Sequence, residues 1–153
     1  MTEGKLAAIN VSDGGVPKTA RAECVVRALG LEGDRQRELE YHGGPERAVC
    51  LFSLDLIEAL KGEGHPIGPG AIGENFTLSG VDWSRMTPGS RVSVGEVELE
   101  LTDYAAPCRT IARAFKDRRS GRVSQKAHPG WSRLYARVTK EGTVRVGDPV
   151  RIR

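Results

Sequence analysis

The stretch RVSVGEVELELTDY (91–104) constrains the fold of this chain more than any other part of the sequence. Apolar and polar residues alternate on both sides of Gly95-Glu96. Alternation of this kind around a short glycine turn is typical of a β-hairpin that buries one face. It is the clearest β signal in the sequence, and it predicts a fold built mainly from strands.

The other apolar runs are short, and most of them are separated by glycines. The runs at 5–12 and 23–31 predict strands, and the continuous apolar run within 47–53 is typical of a strand buried on both faces. The segment 133–153 repeats the hairpin design. Its Pro149 favours an edge position, because proline cannot donate a hydrogen bond to a neighbouring strand.

Apolar residues recur at helical spacing in two places. After Ser53, which is a suitable N-cap, this spacing continues for two to three turns and stops at two glycines. The segment PCRTIARAFKDRRSG (107–121) has a proline where a helix can begin and a glycine where it can end. Its spacing places Cys108 on the same face as Ile111 and Phe115, so the sequence predicts a second helix with the thiol on its buried face.

About seven short strands and only two helices predict a mainly β fold, a closed or barrel-like β-sheet with a few short helices. The regular alternation of strand and helix that builds a doubly wound sheet is missing. With 153 residues and a mass of 16.6 kDa, the chain has the size of one ordinary domain. We therefore expect residues 1–153 to form a single domain.

Charge and hydropathy exclude several classes of protein. The chain has 23 Lys and Arg against 20 Asp and Glu, and the resulting net charge of +3 is too small to predict nucleic-acid binding. No apolar run approaches the roughly 20 residues of a membrane-spanning helix, and the first residues lack the pattern of a signal peptide. We expect a cytoplasmic protein without a nucleic-acid or membrane partner.

The three cysteines lie far apart and form no C-x-x-C pair, which argues against a disulfide framework and a cysteine-based zinc site. Cys24 and Cys50 lie in apolar runs and are expected in the core. For Cys108 the local pattern leaves two interpretations open. A helix start and Arg109 would stabilise a thiolate that acts as nucleophile or soft-metal ligand, whereas burial would make the residue a small inert side chain.

The motif YHGGPERAV (41–49) has the composition of a binding loop. Gly43 and Gly44 carry no side chain, so a ligand or a phosphate can approach the backbone. His42 can donate or accept a hydrogen bond, and Arg47 can bind an anion through two hydrogen bonds. The same motif is also explained as a glycine-rich turn that enters a buried strand.

Two further motifs are weaker. GENFT (73–77) offers the amide of Asn75 and the hydroxyl of Thr77, although an asparagine in a loop commonly serves the turn itself. The basic segment RTIARAFKDRRSGR (109–122) could hold a phosphate group or nucleic acid, but a solvated helix face explains most of its charges.

Other kinds of catalytic site find little support. His42, His65 and His128 could form a metal triad only at arbitrary spacings, and no H-E-x-x-H motif is present. No G-x-S-x-G motif singles out a serine for a hydrolase triad.

Five motifs occur in one order along the chain. They are GLEGDRQ (30–36), HGGPERAV (42–49), GENFT (73–77), PCRTI (107–111) after a hairpin, and RLYARVTKEGTVRVGDPVRI (133–152). Together they resemble the MOSC domain, which is named for the C-terminal region of molybdenum cofactor sulfurases. The resemblance covers about residues 5–152, implies a β-barrel, and assigns the family's single functional cysteine to Cys108.

The resemblance also implies a cofactor and a set of site residues. In the molybdoenzyme branch of the family, the matching cysteine ligates molybdenum in the molybdenum cofactor (molybdopterin), so Cys108 becomes both the catalytic residue and the metal ligand. In the sulfurase branch a role in receiving or carrying sulfur is implied instead. The residues expected to line the cofactor or sulfur site are His42, Gly43, Gly44, Arg47, Asn75, Thr77 and Arg109.

The chain shows no pyridoxal-phosphate-dependent desulfurase region and no four-cysteine ferredoxin segment. We therefore expect no covalently bound pyridoxal phosphate, and a separate protein as electron or sulfur donor. Compact members of the family resemble bacterial proteins linked to the reduction of N-hydroxylated bases and amines. The resemblance thus predicts a small molybdoenzyme acting on a small-molecule substrate, with a persulfide carrier, in which Cys108 delivers sulfur to a partner, as the alternative.

Overall fold

The computed structural model describes residues 4–34 and 44–153. This part of the chain contains eleven strands and one α-helix. The strands are β1 (Gly4–Val11), β2 (Thr19–Arg21), β3 (Glu23–Arg27), β4 (Gly30–Leu31), β5 (Val49–Ser53), β6 (Phe76–Ser79), β7 (Arg91–Val94), β8 (Val97–Tyr104), β9 (Leu134–Lys140), β10 (Gly142–Arg145) and β11 (Pro149–Ile152), and the helix is α1 (Leu54–Gly62). Short 3₁₀ helices span Pro45–Arg47, Trp83–Arg85, Arg109–Ala114 and Ser120–Val123.

Seven strands close into a barrel in the order β11-β7-β8-β9-β5-β6-β1, and β1 pairs again with β11. All neighbours are antiparallel except β5 and β6, which are parallel and connected through α1. β2 extends the sheet beside β1, while β10, β3 and β4 form a separate three-stranded sheet. The fold expected from the sequence, a mainly β barrel with few short helices, is confirmed.

The barrel follows from the alternation seen in the sequence. In the hairpin of β7 and β8, the side chains of Val92, Val94, Val97, Leu99 and Leu101 are all buried. Every residue of β5 is buried, as its continuous apolar run predicts. The Ser53 side chain accepts a hydrogen bond from the Leu56 N–H and so caps α1. One continuous apolar core joins the barrel to the small sheet.

Three strand predictions are wrong in detail. The segment 133–153 does not fold back into a hairpin, because β10 leaves the barrel and pairs with β3. Pro149 is not at an edge either, since β11 lies between β7 and β1 in the closed barrel. The proline is tolerated there because it is the first residue of its strand. The run 23–31 forms two paired strands, β3 and β4, instead of one.

The helix predicted over 107–121 is also wrong. The segment forms a 3₁₀ helix over Arg109–Ala114, and the backbone becomes extended at Phe115. Arg118 then adopts a left-handed conformation with φ 62°, which an α-helix cannot accommodate. Cys108 precedes the 3₁₀ helix as its N-cap with extended backbone, so the thiol does not share a helical face with Ile111 and Phe115.

Candidate functional site

Cys108 lies where β8 has ended and the 3₁₀ helix begins. Its side chain is half-buried, whereas Cys24 and Cys50 are buried. The Cys108 Sγ lies 2.7 Å from the Thr110 Oγ1, and either atom can donate in this contact. Among the three thiols, Cys108 alone has the combination of partial shelter and solvent access that a ligand or nucleophile needs.

Arg133 fixes the segment that leads to Cys108. This arginine is only 6% exposed, and its guanidinium donates hydrogen bonds to the Ile72 O at 2.9 Å and the Ala106 O at 3.2 Å. The Arg133 carbonyl in turn accepts a bond from the Ala105 N–H at 3.0 Å. The Arg133 Nε is buried and has no hydrogen-bond partner among the described residues. A buried cation therefore stands directly behind the approach to Cys108.

Arg47 and Tyr135 form the next part of the site. The Arg47 guanidinium carbon lies 5.2 Å from the centre of the Tyr135 ring, within the range of a cation–π contact. Burial raises the pKa of the Tyr135 hydroxyl to about 12, and the neighbouring Cys50 and Cys108 add to the effect against the charges of Arg133 and Arg47. Tyr135 therefore keeps its proton at neutral pH.

Cys50 packs beneath Tyr135 together with Ala105. Burial raises the pKa of the Cys50 thiol to about 11, although the charge of Arg133 acts in the opposite direction. A protonated, fully enclosed thiol is neither a good nucleophile nor a metal ligand. Cys50 is thus a packing residue, as the apolar run around it predicts.

A buried polar network lies on the other side of β5 and is centred on Asn75. Its Oδ1 accepts a hydrogen bond from the Cys50 N–H at 2.9 Å, and its Nδ2 donates to the Asp34 Oδ2 at 2.9 Å and the Asn10 O at 3.2 Å. Asp34 is also paired with Lys18 at 2.6 Å, and both side chains are about 95% buried, at 4% and 5% exposure. Buried charges need such partners because burial alone disfavours them.

Thr77 and Glu74 continue the same network. The Thr77 Oγ1 accepts from the Asn10 Nδ2 at 3.1 Å and donates to the Glu74 Oε2 at 2.9 Å. Glu74 is fully buried, and burial raises the pKa of its carboxyl to about 7 against the lowering effect of several hydrogen bonds and of Arg133. The Glu74 Oε1 has no partner within the described part of the chain.

The residues expected at the site differ in where the structure places them. Arg47 stands at Tyr135, and exposed Arg109 follows Cys108 directly. Asn75 and Thr77 are fully buried, and their polar groups are engaged within the protein, so they support the site from behind. Gly44 is exposed and precedes the 3₁₀ helix that carries Arg47. His42 and Gly43 lie outside the described residues.

Sequence reasoning missed Arg133, Tyr135 and Glu74. Arg133 directly precedes β9 and Tyr135 is the second residue of that strand, and a charged residue next to the apolar start of a strand was a usable signal. Glu74 adjoins Asn75 in GENFT, but no local pattern shows that it is buried. The histidine triad that the sequence disfavours includes His42 and is therefore not tested; within residues 4–34 and 44–153 no three His, Cys, Asp or Glu side chains are grouped to hold a metal ion.

The family model of the MOSC domain matches residues 38–151, which is most of the chain and includes Cys108 and Arg133. The chain belongs to the MOSC domain family. The structure agrees with this membership, since known structures of similar fold include YiiM of Geobacillus stearothermophilus, with a TM-score of 0.73 at 22% identity over 98% of this chain and 75% of that one. The YUAD protein of Bacillus subtilis gives a TM-score of 0.77 at 19% identity, with 99% and 98% covered.

Curated relatives of this MOSC chain are longer than it is. YflK, an uncharacterized protein of Bacillus subtilis, is 27% identical over 90% of this chain and 62% of its own length. YiiM of Escherichia coli is 31% identical over 56% of this chain and 40% of its own length. The chain thus spans about three fifths and two fifths of these two relatives. The helices in its described part are too short and too polar to cross a bilayer.

Proposed function

We propose that this MOSC protein holds the molybdenum cofactor through Cys108 and reduces N-hydroxylated small molecules with it. The observation that carries the proposal is the position of Cys108, a half-buried thiol at the end of β8, while both other cysteines are enclosed in the core. A thiolate is a soft ligand and suits a metal of this kind better than the oxygen ligands of the surrounding loops.

The residues around Cys108 fit the cofactor in charge as well. The molybdenum cofactor carries a phosphate. The site offers the guanidinium groups of Arg47 and Arg109, with buried Arg133 behind them. The Arg133 Nε has a hydrogen to donate and no partner among the described residues. His42, Gly43 and Gly44 would complete the phosphate-binding loop, in which backbone N–H groups can approach an anion.

The bound cofactor supplies a metal that exchanges two electrons. Converting an N–OH group to N–H releases one water and consumes two electrons and two protons, and a separate donor protein would provide the electrons. Arg133 holds the Ala105–Ala106 backbone and so fixes the direction from which Cys108 presents its sulfur. Asn75 ties the Cys50 backbone of β5 to the segment before β6, and Thr77 ties β6 to Asn10 of β1.

The decisive measurement is the molybdenum content of protein purified from cells that make the cofactor. We expect about one molybdenum per chain in the wild type and almost none in Cys108→Ser, because a hydroxyl is a hard and weakly acidic ligand. Cys24→Ser is the matched control, since it removes a buried thiol on the small sheet and should leave the metal content unchanged.

Two results would contradict the proposal. If Cys108→Ser retains its molybdenum, Cys108 is not the ligand. If the wild type contains no metal and mass spectrometry finds one additional sulfur atom on Cys108, the protein is a persulfide carrier that serves a partner, and the reductase assignment is wrong.

A further inference from the structure

A cavity of about 620 Å³ lies at the end of α1, between that helix and the 3₁₀ helix Ser120–Val123. Its walls share no residue with the site around Cys108. Lys116, Arg119, Arg122 and His128 all line it. The Lys and Arg side chains among them belong to the basic segment 109–122, of which only Arg109 is assigned to the site around Cys108. Most of its lining residues are exposed, so it is an open cleft, with a volume in the range of small-molecule sites.

The lining has three Lys and Arg side chains against the carboxylates of Glu63 and Asp117, which leaves one positive charge in excess. Glu63 accepts two hydrogen bonds from Arg122, at 3.0 Å and 2.8 Å, and these hold the pKa of Glu63 at about 2. Asp117 accepts a bond from the Arg119 backbone N–H at 3.0 Å, and its carboxylate is not within ion-pair distance of the Arg119 guanidinium. The Lys116 ammonium donates only to the Glu63 carbonyl oxygen. Lys116 and Arg119 therefore have no carboxylate partner among the described residues.

Arg122 is held in place before any ligand arrives. Its guanidinium stacks over the Trp131 ring at 4.0 Å while Glu63 binds two of its nitrogens. The third nitrogen, Nη1, is buried and has no partner in the described part of the chain. Because Nη1 is buried and the other two nitrogens bind Glu63, Arg122 offers the cavity a positive charge at a fixed position and no free hydrogen-bond donor.

The backbone between the cations is also unusual. Arg118 has φ 62°, a left-handed conformation that costs a non-glycine residue free energy. This turn separates the exposed side chain of Arg118 from Arg119, which lines the cavity. The backbone therefore turns at Arg118, and the residues on either side of the turn, Lys116 and Arg119, both line the cavity.

We propose that this cavity binds a small molecule through a phosphate monoester group. A phosphate monoester carries nearly two negative charges at neutral pH and three acceptor oxygens, which match a group of neighbouring cations better than one carboxylate does. The volume exceeds what a phosphate ion fills, so the cavity also has room for the organic part of the ester. The site does not depend on the reaction assigned to Cys108.

The test is isothermal titration calorimetry of the full chain with adenosine monophosphate and, separately, with inorganic phosphate. We expect adenosine monophosphate to bind at one site per chain. Arg119→Ala should weaken its binding by roughly tenfold or more, as expected for the loss of a charged hydrogen bond to phosphate. Inorganic phosphate should compete for the site but bind less tightly if the organic part contacts the walls, and equally tightly if the phosphate alone is recognised.

Two variants separate this site from others. Arg113→Ala removes an exposed arginine of the same basic segment that does not line the cavity, and it should leave the affinity almost unchanged. Cys108→Ser should also bind adenosine monophosphate normally. The proposal fails if neither probe binds, if Arg113→Ala weakens binding as much as Arg119→Ala, or if Cys108→Ser abolishes binding.

Discussion

Single residues in this protein show how much their surroundings change ordinary chemistry. Cys50 and Cys108 are the same residue type, yet one is enclosed beneath Tyr135 and the other is half-exposed at the end of β8. Glu74 is a carboxyl group in a fully buried position, and among the described residues only Thr77 donates a side-chain hydrogen bond to it. Burial and not sequence position decides which of these groups can ionise or react.

The burial of Glu74 predicts how the stability of the protein depends on pH. Its pKa rises from 4.5 in the unfolded chain to about 7 in the folded protein. The folded state therefore binds the proton more tightly, so the stabilisation is complete below pH 4.5 and is lost as the pH rises through 7. In Glu74→Gln this decline should disappear, and the variant should gain up to about 1.4 kcal/mol per pH unit relative to the wild type across that interval.

Urea unfolding at a series of pH values between 4.5 and 7 would measure the effect. Glu58→Gln is the control, because Glu58 is an exposed carboxylate on α1 that pairs only with Lys61 at the surface. Stability curves of Glu74→Gln and wild type that run parallel over this interval would show that the Glu74 carboxyl is not perturbed by burial.

At the scale of elements, the close approach of β4 to the start of β5 sets the position of the loop that carries Arg47. Gly30 opens β4 with φ 131°, and a Cβ built there would lie 2.8 Å from the Ala48 carbonyl oxygen. That oxygen belongs to the backbone at the entrance of β5 and cannot move aside like a flexible side chain. Only glycine lets these two elements pack this closely.

Gly30→Ala is therefore expected to be strongly destabilising. Gly89→Ala is a matched control, since Gly89 also has a positive φ, of 95°, but a Cβ there would meet nothing within 4 Å. Both variants incur backbone strain. The clash in Gly30→Ala should lower its free energy of unfolding by about 1–3 kcal/mol more than in Gly89→Ala. Equal losses in the two variants, measured by chemical denaturation, would mean that the backbone relieves the contact without cost.

The whole molecule is organised around one core that both sheets share. Val144 of β10 and Val26 of β3 belong to the same cluster of buried residues as the barrel strands. The chain also crosses between the sheets four times, from β2 to β3, from β4 to β5, from β9 to β10 and from β10 to β11. A common core and covalent crossings of this kind favour a single cooperative unfolding transition.

Val144→Ala tests this cooperativity. The substitution lies in the small sheet, and loss of a fully buried side chain should cost about 1.5–3 kcal/mol. With Trp131 replaced by Phe so that Trp83 alone reports, the midpoint of unfolding should fall equally by far-ultraviolet circular dichroism and by the fluorescence of Trp83, which packs against Phe52 of the barrel. A two-step transition, with the Trp83 signal unchanged, would show that the small sheet unfolds independently.

Much of the fold is predictable from local pattern. The hairpin of β7 and β8, the fully buried β5 and the capped helix α1 each follow from a period or a cap that is written within about ten residues. The helix predicted over 107–121 was wrong because its apolar spacing is matched by two short 3₁₀ helices separated by a left-handed Arg118. Local spacing cannot distinguish one α-helix from two short 3₁₀ helices when tertiary contacts supply the difference in free energy between them.

The sequence by itself determined the class of the fold, the identity of the family through five ordered motifs, and the choice of Cys108 as the thiol to examine. Tertiary structure alone decided that β10 leaves the barrel for β3 and that β1 closes it against β11. It also decided that Arg133 stands behind Cys108 and that Glu74 is buried. These arrangements join residues far apart in the chain, and their free energy comes from the packing of the whole core, which no short stretch of sequence contains.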